Sequence, residues 1–286
     1  MAINVYKIIS ILLLLFSFFL CSADEIKPID DEKLVASLKQ GLNDLSKANS
    51  LADINLLYDQ LARNNCPVPL RKASLKKKDV KEVYKESLSS IVLLARGYKS
   101  KTSRTWQTSI ACGFLISKDG IVVTNYHVME PSRGTAMVVM THDKKVYPIV
   151  EVLAADKEND VAIIKIKGTG FKPLSLSREN ETGSSVLCVS HPDGRFYSLS
   201  KGIISRHFMD VDKGSKAHRF AITADFAKGA SGGPILDLKG NVVGMVSSTR
   251  SIYYNRSAGV DENLQMVIKN CVPSQSILKL IKDTSK

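Results

Sequence analysis

No internal repeat, no CxxC pair and no His/Cys cluster occurs in this chain of 286 residues. Without such ligand spacings a structural zinc site is not expected, and no metal or organic cofactor is called for. Beyond one N-terminal segment, no apolar stretch approaches the roughly 20 residues a membrane-spanning helix needs. Acidic residues are the scarcer charge, 28 Asp and Glu against 40 Lys and Arg, for a formal net charge of +12. That balance admits anionic partners in general, but a dispersed lysine excess is a weak signal and no nucleic-acid partner is expected from it. With 44% hydrophobic and 24% charged residues, 17 Gly and 9 Pro, collagen-like, low-complexity and largely disordered classes are excluded. The length suits one large all-β or α/β domain, or one such domain with a small extension.

The N-terminal exception reads as a targeting segment. Lys7 precedes an apolar run from Ile8 to Leu20, which is too short to span and ends in Cys21-Ser22-Ala23. Small residues at the first and third of these positions suit signal-peptidase cleavage after Ala23, giving a signal peptide over 1–23 and an exported protein, periplasmic or secreted. An uncleaved membrane anchor is the competing reading. A lipid attachment at Cys21 is disfavoured by the bulky Phe18-Phe19-Leu20 before it. Cleavage removes Lys7 and Cys21, lowers the net charge to +11 and leaves Cys66, Cys112, Cys188 and Cys271. Four cysteines allow three pairings, and the sequence does not choose among them. Cys112 and Cys188 sit in strand-like apolar runs as small buried thiols would. Cys66 and Cys271, near the two ends of the mature chain, are candidates for a bond.

Residues 24–85 read as a helical extension and basic linker. Leu34, Val35, Leu38, Leu42 and Leu45, then Leu51, Ile54, Leu57, Tyr58 and Leu61, recur at helical steps. They predict a hairpin of two helices joined near Asn49-Ser50 and ended by Cys66-Pro67-Val68-Pro69. Arg71 to Lys85 is Lys-rich, and Lys76-Lys77-Lys78 is either an anionic-surface patch or a solvated connector. From residue 86 to 286 the texture changes to short apolar runs such as Ile91–Leu94, Ala111–Ile116, Val161–Ile166 and Val242–Val246, split by turns such as Lys118-Asp119-Gly120 and Leu238-Lys239-Gly240. This rhythm predicts a mainly β sandwich or barrel pair, closed by a helix over residues 274–281.

Three segments carry chemistry. Gly229-Ala230-Ser231-Gly232-Gly233-Pro234 is a sharp glycine-rich turn that exposes a hydroxyl among backbone N–H groups, as acyl transfer requires. Thr124-Asn125-Tyr126-His127-Val128 ends an apolar strand with an imidazole able to accept the serine proton. Asn159-Asp160-Val161 opens another strand with a carboxylate able to orient that imidazole, although Asp156 lies close by. In this order the segments, with Ala111-Cys112-Gly113-Phe114-Leu115-Ile116 and Lys201-Gly202-Ile203-Ile204-Ser205, resemble the chymotrypsin-like (trypsin-fold) serine peptidases, most of all the bacterial Deg/HtrA type. The likeness runs from about Tyr84 to Ile281.

The resemblance implies two packed six-stranded antiparallel β-barrels with the site between them. It implies Ser231 as nucleophile, His127 as general base, Asp160 as orienting acid, and the N–H groups of Gly229 and Ser231 as oxyanion hole. It also implies protein or peptide substrates. Two departures stand out. Ala230 replaces the Asn or Asp usual before the serine, so the oxyanion loop must be held differently or be mobile. The chain also stops soon after the closing helix, where Deg-type enzymes carry a PDZ domain. Asp225, six residues before Ser231, occupies the spacing of the primary-pocket acid of digestive enzymes, or is a structural acid; Phe226 and Lys228 beside it favour the latter. The alternative to an endopeptidase is a catalytically weak binding protein on the same fold, acting on peptides or anionic surfaces.

Overall fold

A computed structural model describes residues 27–100, 105–132, 134–212, 215–257 and 259–285. The expected signal peptide lies outside the described residues. The described residues from Asp31 onward pack as one unit; before them only residues 27–30 are described, without regular structure. The chain opens with helix α1 (Asp31–Lys47) and the short α2 (Ile54–Asp59), capped by the Asp53 carboxylate on Asn55 N. No described helix is long and apolar enough to cross a membrane. Next come strand β1 (Cys66–Val68) and helix α3 (Val80–Ser87), capped by Asp79 on Lys81 N. Here the structure corrects the sequence reading twice. Cys66-Pro67-Val68 is not merely a helix stop, and the end of the basic linker is helical, with Val83 buried beneath its lysines.

Six strands close the first barrel: β2 (Ile91–Lys99), β3 (Trp106–Leu115), β4 (Ile121–Thr124), β5 (Ala136–Met140), β6 (Val146–Asp156) and β7 (Val161–Ile166), in the order β2-β3-β4-β7-β6-β5. Strands β2, β4, β5 and β7 read as near-continuous apolar runs because both of their faces are buried. Val92 and Leu94 join Val122, Val139 and Ile164, together with Ile54, Leu57 and Leu61 from the N-terminal segment. Ile91, Leu93 and Ala95 join Phe114, Val138 and Met140, together with Leu34, Leu38 and Leu42 of α1. Each of those helix leucines is worth about 1.5–3 kcal/mol on burial. A glycine makes the contact close: a Cβ on Gly41 would lie 2.4 Å from Val146.

The second barrel is β8 (Ser185–Ser190), β9 (Ser198–Asp212), β10 (Ser215–Ile222), β11 (Pro234–Leu236), β12 (Val242–Ser257) and β13 (Val260–Pro273), closed in the order β10-β13-β12-β11-β8-β9. Helix α5 (Ser274–Lys279) follows, and β14 (Ile281–Asp283) pairs in parallel with β1, Cys66 opposite Ile281. The mainly β fold of two six-stranded barrels is thus the observed one. The four described cysteines are buried free thiols, so Cys66 and Cys271 are not joined.

Candidate active site

Ser231 sits in the turn between β10 and β11, and two glycines set its shape. Gly229 (φ 91°) and Gly232 (φ 84°) occupy the left-handed region that side chains disfavour. The turn is gripped by the first barrel. Cys112 N donates to Ser231 O at 2.7 Å, and a Cβ on Gly232 would lie 2.0 Å from the Cys112 carbonyl oxygen. Ala230 is fully buried, and the loop is held through its backbone instead of a side chain. Ala230 N donates to Ala227 O, Gly233 N to Ala230 O, and Asp193 N to Lys228 O at 2.6 Å.

His127 lies on the single helical turn α4 (Tyr126–Met129), directly after β4. Its Nε2 is 3.0 Å from Ser231 Oγ. Its Nδ1 is 2.9 Å from Asp160 Oδ1, and its backbone N–H donates to that same oxygen at 3.1 Å. Asp160 stands at the tight turn between β6 and β7 with φ 58°. Asn125 Nδ2 holds its carbonyl at 3.0 Å, and Ser247 Oγ donates to its Oδ2 at 2.7 Å. Asp156 is engaged elsewhere, accepting from the N–H and side-chain amide of Asn159. The structure therefore brings His127, Asp160 and Ser231 into one hydrogen-bonded line, with Asp156 outside it.

Burial alone would pull the His127 imidazole down, but its bond to Asp160, the charge of Asp160 and the charge of Glu130 raise its pKa above the usual 6.5. Such a line can move the serine proton to Nε2 while the carboxylate holds the resulting cation. Ser247 was not legible in the sequence. It is one more serine after an apolar run, and only folding carries it to Asp160.

Asp225 lies apart from that line. Its carboxylate is exposed and bonds Lys269 Nζ at 2.6 Å, which lowers its pKa. Lys269 is itself largely buried, donates to Phe226 O at 2.5 Å and sits 5.5 Å from the Phe226 ring centre. Asp225 and Lys269 border a cavity of about 350 Å³ with Pro192, Ser200 and Ala227. Of the lysine patch, Lys78 pairs with Glu86 and its backbone N–H bonds Leu238 O, while Lys76 and Lys77 face solvent. No group of three His, Cys, Asp or Glu able to hold a metal occurs among the described residues.

Against known proteins, the trypsin-like peptidase domain family matches residues 111–245. A probable periplasmic serine endoprotease, DegP-like, of Ectopseudomonas mendocina is 32% identical over 153 residues, covering 53% of this chain and 31% of the relative. One of the same description from Brucella suis is 32% identical over 177 residues, covering 60% and 33%. The anti-sigma-I factor RsgI9 of Acetivibrio thermocellus is 30% identical over 165 residues, covering 57% and 22%. The chain thus spans about a third or less of the length of these relatives. Among solved structures, the HtrA-type protease AlgW with tripeptide shares the fold, with a TM-score of 0.56 and 20% identity over 70% of this chain and 62% of that one.

Proposed function

We propose that this chain, whose residues 111–245 match the trypsin-like peptidase domain family and which is similar in sequence to DegP-like endoproteases, is an exported serine endopeptidase acting on proteins or peptides. The observation that carries the reading is the unbroken line from Ser231 Oγ through the His127 ring to Asp160, at 3.0 and 2.9 Å. Ser231 Oγ attacks the scissile carbonyl carbon while His127 Nε2 takes its proton. Asp160 accepts from Nδ1–H and stabilises the imidazolium. The oxyanion is held by the N–H groups of Gly229 and Ser231, each donor being worth about 2.7–4 kcal/mol in such sites. His127 then hands the proton to the leaving amine, and water hydrolyses the acyl-enzyme by the same steps in reverse.

Asp225 is assigned a structural role on this reading, because its charge is already matched by Lys269 and a basic substrate side chain gains nothing from the pair. Export rests on residues 1–23, with a mature chain beginning at Asp24. The triad geometry speaks against the binding-protein alternative.

A fluorophosphonate probe tests the assignment. It should label the wild type at Ser231, and not Ser231→Ala. Ser231→Ala and His127→Ala should each lower turnover by about 10⁶, with the double variant hardly worse than either, because the groups act as a unit. Additive losses, or labelling that survives Ser231→Ala, would sink it.

A further inference from the structure

The peptide joining Lys228 to Gly229 decides whether the Gly229 N–H serves an oxyanion. A trans peptide carries its C=O and N–H on opposite sides, and no described peptide bond is cis. Whatever fixes the Lys228 carbonyl therefore fixes the direction of the Gly229 N–H. Here that partner is the N–H of Asp193, at 2.6 Å, in the turn that follows β8. The same turn presses on the glycine itself: a Cβ at Gly229 would lie 2.7 Å from His191 O and 3.4 Å from Asp193 N.

This turn is costly to hold. Asp193 (φ 50°) and Tyr197 (φ 57°) both occupy the left-handed region without being glycine, a conformation that persists only where its surroundings impose it. Inside the turn, Tyr197 N donates to His191 Nδ1 at 3.1 Å, and Arg195 Nη1 closes on Asp193 Oδ2 at 2.6 Å. Two further bonds come from the segment that precedes the first barrel. Asp31, in the first turn of α1, accepts from Phe196 N at 3.1 Å, and Tyr84 of α3 donates its hydroxyl to Tyr197 O at 2.8 Å. Both anchors are themselves fixed, α1 by its buried leucines and α3 by buried Val83.

We propose that Asp31 and Tyr84 are positioning residues for the oxyanion loop: they hold the turn 191–197 in the shape that aims the Lys228–Gly229 peptide, so the N-terminal helical segment is a working part of the peptidase. This rests on the serine-peptidase reading. It answers how a loop with Ala230 in place of a hydrogen-bonding side chain is kept in register.

The test uses the mature chain and the variants Asp31→Ala, Asp31→Asn and Tyr84→Phe. Asp31→Ala and Tyr84→Phe should each lower kcat and the rate of fluorophosphonate acylation about tenfold, with KM within twofold. The final labelling stoichiometry and the pH at which kcat/KM rises should both stay unchanged, since the His127–Asp160 pair is untouched. Asp31→Asn, which keeps an acceptor oxygen, should stay within threefold of wild type. Hydrogen exchange in peptides covering 191–197 and 226–231 should quicken in Asp31→Ala and not in Asp31→Asn. Unchanged rates, an Asn variant as impaired as Ala, or exchange at 226–231 that does not respond would each overturn the proposal. A wild type that neither labels nor cleaves would overturn the peptidase reading instead, while the exchange measurement still reports the link from Asp31 to Gly229.

Discussion

Two histidines show how much a single residue's surroundings decide. His127 has its pKa raised above 6.5 because the bond to and charge of Asp160 outweigh its burial. Protonated imidazole cannot take the serine proton, so kcat/KM should climb with pH through an inflection above 6.5 and then plateau. Asp160→Asn should lower that inflection and cost about 10⁴ in turnover, and a profile flat from pH 5 to 8 would exclude His127 as base. Stability runs the other way: the pair's contribution is full below the unfolded value and fades as pH rises through the folded one. His191 is the opposite case. It is buried, accepts from Tyr197 N at Nδ1 and meets Val92 O at Nε2 (3.3 Å), and burial pushes its pKa down to about 4. Its neutral form is favoured in the fold, so its contribution is present above about pH 6.5 and is lost as pH falls toward 4. A depression of that size corresponds to about 3 kcal/mol. Denaturant titrations should show His191→Gln less stable at pH 7.5 but with a flatter acid limb than wild type; parallel curves would refute the assignment. A lone histidine before Pro192-Asp193-Gly194 carries no mark of burial in the sequence.

At the scale of elements, what the sequence revealed depended on which faces are buried. In the first barrel, β2, β4, β5 and β7 announced themselves because both faces are covered, as with Val92 and Leu93 on successive sides of β2; β6, with Glu151 only half-buried, did not. Of the ribbons β9–β10 and β12–β13, short apolar runs such as Ile203-Ile204 and Val242–Val246 mark only parts, and nothing in the sequence marks β13. Farther out, Met209, Tyr254, Leu264 and Met266 are exposed and no alternating pattern survives. Strand β1 was missed because three residues containing Pro67 cannot signal a strand, and a proline is tolerated only at an edge. The serine turn was the clearest signal of all, and a glycine from the β11–β12 turn shows what its Gly232 adds. Gly240 (φ 81°) has open space around it, whereas Gly232 (φ 84°) is packed against the Cys112 carbonyl and the Thr124 hydroxyl. Gly240→Ala should therefore cost about 1 kcal/mol for backbone conformation alone. Gly232→Ala should lose more than about 3 kcal/mol and abolish acylation, because backbone must move. Equal losses in chemical denaturation would show that the close approach to the first barrel is not what demands glycine there.

Across the whole molecule, the site is shared: His127 and Asp160 come from the first barrel, and Ser231 and Ser247 from the second. The order His, Asp, Ser along the chain was enough to find the first three. One tie between the N-terminal segment and the C-terminal tail was not legible, since it is a short parallel pairing, Cys66–Val68 with Ile281–Asp283. That pairing also hides a thiol. Cys66 is 2% exposed and its Sγ contacts Leu280 O, and burial raises its pKa to about 11. Cys112, Cys188 and Cys271 lie deeper, within barrel strands, and burial raises each of them strongly, Cys188 to about 12. Thiolate is the reactive form, so the folded mature protein at pH 8 should react with a thiol reagent at none of the four sites within minutes. All four should react in denaturant without any reductant. Removing residues 281–286 deletes β14 and should release Cys66 alone, giving one fast thiol per chain while the other three stay silent. Fewer than four thiols in denaturant would mean a disulfide and overturn the free-thiol arrangement. Several fast thiols after the truncation would mean that β14 supports the second barrel as a whole and not just the cover over Cys66.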